Sequence, residues 1–265
     1  MANIHPTAII DPKAEISDSA EIGPYCVIGP NVRLGANVKV HPYVCITGET
    51  TIGDDCVFFP HSTIGSKGQI LGLKDGDYRL EIGARNVFRE SVTIHGAAPS
   101  KSEPTRIGND GYFMIGIHIA HDCQIGDKCV FANLTTLGGE TRVGDQVWFG
   151  GSAFAHQKTW IGDHAFIGGG SIVVGDVLPY AMTQGNHAYM ASVNVVGLKR
   201  RGFSKSDIRD IHHAFKVLGE KGKTFQDRLS DLDGQSAEGS LGRKIYDFAS
   251  HSRGGRALCQ FRSGR

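Results

Sequence analysis

Residues 22 to 40 read Ile22-Gly-Pro-Tyr-Cys-Val-Ile28-Gly-Pro-Asn-Val-Arg-Leu34-Gly-Ala-Asn-Val-Lys-Val40. A large branched residue returns every six positions, and four places after each stands a small or β-branched one: Cys26, Val32, Val38. The same phase runs back through Ile16, Ile10 and Ile4 and forward through Ile46, Ile52, Phe58 and Ile64. An amphipathic helix needs apolar spacings of three and four and a hairpin sheet needs two, so neither accounts for a period of six. The pattern is a hexapeptide repeat and predicts a parallel β-helix, with short strands joined by corners and like side chains stacked in columns. Glycine recurs after the large residue at Gly23, Gly29, Gly35, Gly53 and Gly65, where it is expected to allow the tight corners.

The phase resumes at Ile82, Phe88 and Ile94, and again from Ile107 through Phe113, Ile119, Ile125, Phe131 and onward to Val173. Two stretches abandon it: residues 66–80, and residues 96–106, which add seven to the sixfold count. Both read as loops thrown out from the coil, where function tends to sit. After Val174 the repeat dissolves, and from about Ala191 the composition turns to helix formers. Ser204 is an N-cap before Lys205 to Leu218, a second helix is expected from Thr224 to Leu232 and a weaker one near Leu241 to Ser250. The reading is mainly β: a β-helix over 1–190 and a small α-helical C-terminal domain over 191–265, which covers the open end of the coil. The basic, glycine-rich tail from Arg253 to Arg265 is expected to fray.

Composition narrows the function. With 28 basic and 27 acidic residues the chain has no polyelectrolyte character, so neither nucleic acid nor a membrane surface is the expected partner. No apolar run is long enough to span a bilayer, and the start lacks a basic segment followed by a hydrophobic one, which points to the cytoplasm. Cys26, Cys56, Cys123 and Cys129 all occupy one repeated position, where a packed, reduced thiol suffices.

Three hexapeptides make one coil, so residues 18 apart lie one above the other. His121 then sits beneath Gly139, with Gln157 one coil further. Once the seven inserted residues are subtracted, His95 falls in the adjacent column with Ala120, Gly138 and His156. His95, His121, Gly139, His156 and Gln157 form a polar strip on a scaffold that elsewhere repeats Ala, Gly or Thr in those columns. A histidine beside a carboxylate suits general-base work, because its reference pKa of ~6.5 leaves it mostly neutral and the carboxylate fixes its tautomer. Asp122 is the nearest carboxylate to His121, but neighbours on a strand point apart, so the pair meets only if the chain turns there. A bare N–H at Gly138 or Gly139 could receive a developing oxyanion. No serine or cysteine nucleophile is signalled, which favours direct transfer to a bound acceptor.

Glu90-Ser-Val-Thr-Ile-His95, His118-Ile-Ala-His-Asp-Cys123, His156-Gln157, Gln184-Gly-Asn-His-Ala188 and Gly197-Leu-Lys-Arg-Arg-Gly-Phe-Ser204 together give the chain a close family likeness. It resembles, nearly end to end, the UDP-N-acetylglucosamine O-acyltransferases that begin lipid A biosynthesis. The resemblance implies a left-handed β-helix and a homotrimer with active sites between subunits. It implies transfer of an (R)-3-hydroxyacyl group from acyl carrier protein, whose phosphopantetheine carries the donor, to the glucosamine 3-hydroxyl of a UDP-sugar, with no cofactor of the enzyme's own. By the same likeness His121 is the general base, Asp122 its partner and Gly139 the oxyanion donor. His95, His118, His156 and Gln157 line the acceptor and acyl cleft. Asn194, Arg200 and Arg201 lie at the nucleotide and phosphopantetheine end, where guanidinium pairs with phosphate. Gly169 stands at the position that limits acyl length.

Three positions depart from the family pattern. Gln69-Ile-Leu-Gly-Leu73 stands where the family usually carries Gln-Asp-Leu-Lys-Tyr, whose Asp and Lys contact the sugar nucleotide. Glu140 replaces a histidine beside the oxyanion glycine, and Val196 replaces a glutamate. These changes leave open a different nucleotide sugar, such as a 3-amino analogue, with Lys74, Asp75 or Asp77 as substitute contacts. A zinc enzyme using His95, His118 and His121, and a non-catalytic scaffold or sensor, are the remaining alternatives.

Overall fold

The computed structural model describes residues 2–251 and 256–261. Strands of mostly two residues build three sheets of 11, 9 and 8 strands, parallel apart from one terminal hairpin, which form the long faces of a triangular coil. Successive coils pair in steps of 18, as Ile4 with Ile22 and His118 with Thr136. The steps widen at the two predicted loops: Ile52 pairs with Ile82, and Ile94 with Ile119. Both insertions are absorbed outside the coil, and the columns continue unbroken above them.

The columns hold the fold together. Phe58, Phe88, Phe113, Phe131 and Phe149 are fully buried and stack in one line, with ring centroids 4.9, 4.8, 5.1 and 4.6 Å apart. Each ring fills the space left by the one below, so deleting one opens a cavity at a cost of about 3–5 kcal/mol.

The repeated glycines act differently from the expectation. Corners do demand left-handed backbone, but non-glycine residues carry it at Tyr25, Asn37, Tyr43, Asp55 and His61, with φ of 57, 57, 63, 58 and 66°. Of the five glycines named, only Gly65 has positive φ. At Gly23, Gly35 and Gly53 the coils approach closely: a Cβ at Gly53 would stand 2.8 Å from the backbone N of Ala84, and one at Gly23 3.1 Å from the carbonyl O of Val40, whereas at Gly29 the nearest atom would be 3.4 Å away.

Above the last coil the chain forms an antiparallel hairpin, Ala181–Gln184 with Tyr189–Val193, which extends the 11-stranded sheet. The division expected at residue 190 runs through its second strand. Four helices follow: α1 (Val195–Arg200), α2 (Lys205–Leu218), α3 (Phe225–Gln235) and α4 (Leu241–Ser250). Ser204 and Thr224 cap α2 and α3 with reciprocal bonds to Asp207 and Asp227. The expected fraying of the tail needs correction where the tail is described. Leu258 pairs with Asp176, Phe261 pairs with Met190, and Cys259 is buried, so the segment 256–261 is docked on the end of the coil. The rest of that tail lies outside the described residues.

Candidate active site

The histidine strip lies along the corner where the 9-stranded sheet passes to the 8-stranded one. Strand register puts Thr93 beside His118 and Ile94 beside Ile119, so His95 aligns with Ala120 as the column arithmetic requires. The rings of His95 and His118 meet edge to face at 4.9 Å. His95 is only 6% exposed. Burial, reinforced by His118 and His121, pushes its pKa down to about 4, and burial lowers that of His118 too. Both rings are therefore neutral near pH 7. His118 Nδ1 is held by Thr93 Oγ1 at 2.8 Å.

At His121 the chain does turn. Asp122 has a φ of 62°, which brings its carboxylate back against the preceding ring. His121 Nδ1 lies 2.5 Å from Asp122 Oδ2. Asp122 Oδ1 accepts the Ala98 N–H at 2.9 Å, and the Asp122 N–H donates to Thr105 Oγ1 at 2.8 Å. With Nδ1–H donated to the carboxylate, Nε2 carries the free lone pair, the tautomer that a base needs. The Cε1–Nε2 edge lies over Gly139, where an added Cβ would come within 2.5 Å of both atoms. The His121 side chain also meets the first loop, since a Cβ on Gly68 would stand 3.0 Å from His121 Cβ. Among the described residues no acceptor takes the Gly139 N–H.

His156 and Gln157 close the upper end of the strip. Arg256 reaches them from the tail, with Nη2 2.6 Å from His156 Nδ1 and Nε donating to the Gln157 carbonyl at 2.9 Å. Gly169 is exposed on the opposite edge of the same sheet and does not join the strip. Asn194 and Arg201 lie at the third corner. The Asn194 side chain caps α1 through the Gly197 N–H and donates to the His164 carbonyl, and Arg201 Nη2 donates to the Gln146 carbonyl at 2.8 Å. Arg201 Nη1 is buried with no partner among the described residues. Arg200 is exposed. The structure thus gathers His95, His118, His121, Asp122, Gly139, His156 and Gln157, and leaves Gly169, Asn194, Arg200 and Arg201 on other corners.

The departures have local explanations. Glu140 is held by Lys101 at 2.8 Å and Lys158 at 3.6 Å, and the Lys101 ammonium keeps its carboxyl below the usual range. Asp75 pairs with Lys67 at 2.7 Å. Val196 is exposed on α1. Among the described residues of the single chain, no group of three or more His, Cys, Asp or Glu side chains converges as metal ligands. Thr93, Ala98 and Thr105 are contributors that sequence reasoning missed. Thr93 was within reach of the column arithmetic, but Ala98 acts through its backbone and leaves no side-chain signal.

Comparison with known proteins agrees with this architecture. The family described as bacterial transferase hexapeptide (six repeats) matches residues 1–36, and that described as UDP N-acetylglucosamine O-acyltransferase, domain 2, matches residues 176–259. The chain is 50% identical over 246 residues to the acyl-[acyl-carrier-protein]–UDP-N-acetylglucosamine O-acyltransferase of Caulobacter vibrioides, covering 93% of this chain and 94% of that one. Among solved structures it is similar to the UDP-N-acetylglucosamine O-acyltransferase of Moraxella catarrhalis, with 36% identity, a TM-score of 0.91 and coverage of 97% and 99%. The Francisella novicida enzyme gives 33% identity, a TM-score of 0.93 and coverage of 97% and 94%. The fold is the left-handed parallel β-helix of these relatives. With half its residues shared over nearly the full length of a curated relative, the chain belongs to the acyl-[acyl-carrier-protein]–UDP-N-acetylglucosamine O-acyltransferase family.

Proposed function

We propose that this enzyme moves an (R)-3-hydroxyacyl group from acyl carrier protein to the 3-hydroxyl of UDP-N-acetylglucosamine, the first step of lipid A biosynthesis. The observation that carries the reading is the His121–Asp122 pair, with the free ring edge set against Gly139. His121 Nε2 takes the proton of the sugar hydroxyl as its oxygen attacks the thioester carbonyl. Asp122 stabilises the imidazolium that forms. The oxyanion meets the Gly139 N–H, a contact of the kind worth about 3–4 kcal/mol in the transition state. Collapse breaks the C–S bond, and the leaving thiolate recovers its proton from His121. The phosphopantetheine of the carrier holds the acyl chain, and no cofactor of the enzyme takes part in the scheme.

Gly169, Arg201 and the histidine strip stand at three different corners of the triangular coil, an arrangement that favours a cleft formed where copies associate. This supports a homotrimer with sites between subunits. The chain is read as cytoplasmic: its six cysteines are free, five of them buried, which suits a reducing compartment. Among the described residues, no helix is long and apolar enough to cross a membrane.

An acceptor with an amino group at the acylated carbon is the second reading, favoured by the uncharged Gln69-Ile-Leu-Gly-Leu73 and by a Glu140 already engaged by two lysines. The deciding experiment measures product from a panel of UDP-sugars and acyl carrier protein thioesters of several lengths. His121→Ala is included and is expected to lose at least a thousandfold in kcat while remaining folded. Unimpaired turnover by that variant would remove the base assignment, and exclusive use of the amino sugar would select the second reading.

A further inference from the structure

Asp122 aims the proposed base, and the loop from Gly96 to Pro104 in turn aims Asp122, through the Ala98 N–H. What fixes that loop is a set of contacts from three sides. Arg79 donates to the carbonyls of Lys101 and Ser102, and the Ala97 N–H donates to the Arg79 carbonyl at 2.8 Å. Gln124 Nε2 donates to the Pro104 carbonyl at 2.7 Å. These hold the base of the loop and the backbone at Lys101 and Ser102. The Lys101 side chain ties the outer part across to the coil, with Nζ on Glu140 Oε2 at 2.8 Å and Lys158 on the other carboxylate oxygen.

Glu140 is placed for this by the coil itself. It lies 18 residues above Asp122, in the same corner column and with the same left-handed backbone, φ 60°. Its N–H donates to the His121 carbonyl at 3.0 Å. The loop is therefore gripped by two stacked corner carboxylates, Asp122 through a backbone N–H and Glu140 through a lysine. Behind them opens a cleft of about 470 Å³ lined by Lys101, Glu103, Asp122, Glu140, Arg142 and Lys158, into which an unlatched loop has room to move.

We propose that the Lys101–Glu140 pair is a positioning latch: it keeps the 96–104 loop closed, so that the Ala98 N–H stays on Asp122 and the His121 ring stays in register with Gly139. This deepens the acyltransferase reading and rests on it for its catalytic consequence. Both partners are partly exposed, so the pair contributes at most about 1 kcal/mol. Its effect is on loop population rather than on the fold.

The test compares the wild-type protein with Lys101→Met, Glu140→Gln and Lys101→Arg, using two readouts. In the first, amide hydrogen exchange over residues 97–102 is expected to quicken up to about fivefold in Lys101→Met and Glu140→Gln, and to return to the wild-type rate in Lys101→Arg, with Tm unchanged in all three. In the second, Lys101→Met should lower kcat two- to fivefold with the carrier-protein KM preserved. Unchanged exchange in Lys101→Met, or equal impairment in Lys101→Arg, would overturn the latch. If the wild-type protein transfers no acyl group, the functional reading fails, while the exchange measurement still decides whether the latch exists.

Discussion

The coils below Ile64 and those between Thr93 and Lys158 share their register, corners and core, and both carry histidines. In the lower coils Tyr25, Tyr43 and His61 stack flat on one another at 5.2 Å along an exposed corner, and His41 lies on Phe59 at 4.7 Å. In the upper coils His95 and His118 meet edge to face under cover, and His121 is bonded to a carboxylate. At the corner of the site the lower coils carry Asp11, Gly29 and Thr47 where the upper ones carry His95, Ala120 and His156. The scaffold alone therefore yields a ladder of surface rings. A site needs different corner residues and also the two inserted loops, which bring Gly68 against one side of His121 and the Ala98 N–H onto Asp122.

The sharpest way to break this contrast is Gly139→Ala. Gly139 has ordinary negative φ, so alanine strains no backbone there, yet its Cβ would fall 2.5 Å from Cε1 and Nε2 of His121. The bond to Asp122 and the approach of Gly68 oppose a shift of the ring, so relieving the clash moves it off its aligned position. The expected outcome is a kcat lower by about a hundred- to a thousandfold, the scale of a displaced general base, with Tm shifted by no more than a few degrees. Steady-state kinetics with a thermal melt checks both, and wild-type turnover in a folded variant would show that the ring does not sit over Gly139 during reaction.

How much of this was legible in the sequence follows from what the repeat can encode. A period of six and a coil of 18 give each residue a column, and that sufficed to place His95 beside Ala120 and His121 beneath Gly139. The Phe58 to Phe149 stack was visible in the same way. The His121–Asp122 contact was open, because alternation along a strand forbids it and only the left-handed turn at Asp122 permits it. The Ala98 contact was illegible: a backbone donor in an aperiodic loop has no side-chain signature. Arg256 reaches His156 across 100 positions with no periodic relation between them, so the docking of the tail has no signal in the repeat. The glycines have two causes that leave the same residue in the sequence, close approach between coils at Gly35 and Gly53 and a positive φ at Gly65.

A smaller effect separates the two regions by pH. His95 is buried and titrates at about 4 in the folded protein, against 6.5 for the exposed ring. Between those values the unfolded chain binds a proton that the native state refuses, so stability is full above pH 6.5 and declines as pH falls toward 4. His95→Gln removes that titration. The difference in denaturant midpoint between wild type and variant should therefore change across pH 6.5 to 4 and level off on either side. A difference independent of pH would mean that the ring is not buried as described.

The smallest effect is expected at His61, where the argument runs the opposite way. Its φ of 66° suits asparagine at least as well as histidine, and its ring is exposed apart from the contact with Tyr43. His61→Asn loses a stacking contact of about 0.5–1.5 kcal/mol and regains part of it in backbone preference. Stability should then change by less than about 1 kcal/mol and turnover not at all, in contrast to the losses expected at His121 and Gly139. A fall in kcat at this position, measured with the same substrates, would show that the lower ladder feeds the site and that the division between scaffold and chemistry runs further down the coil than the loops suggest.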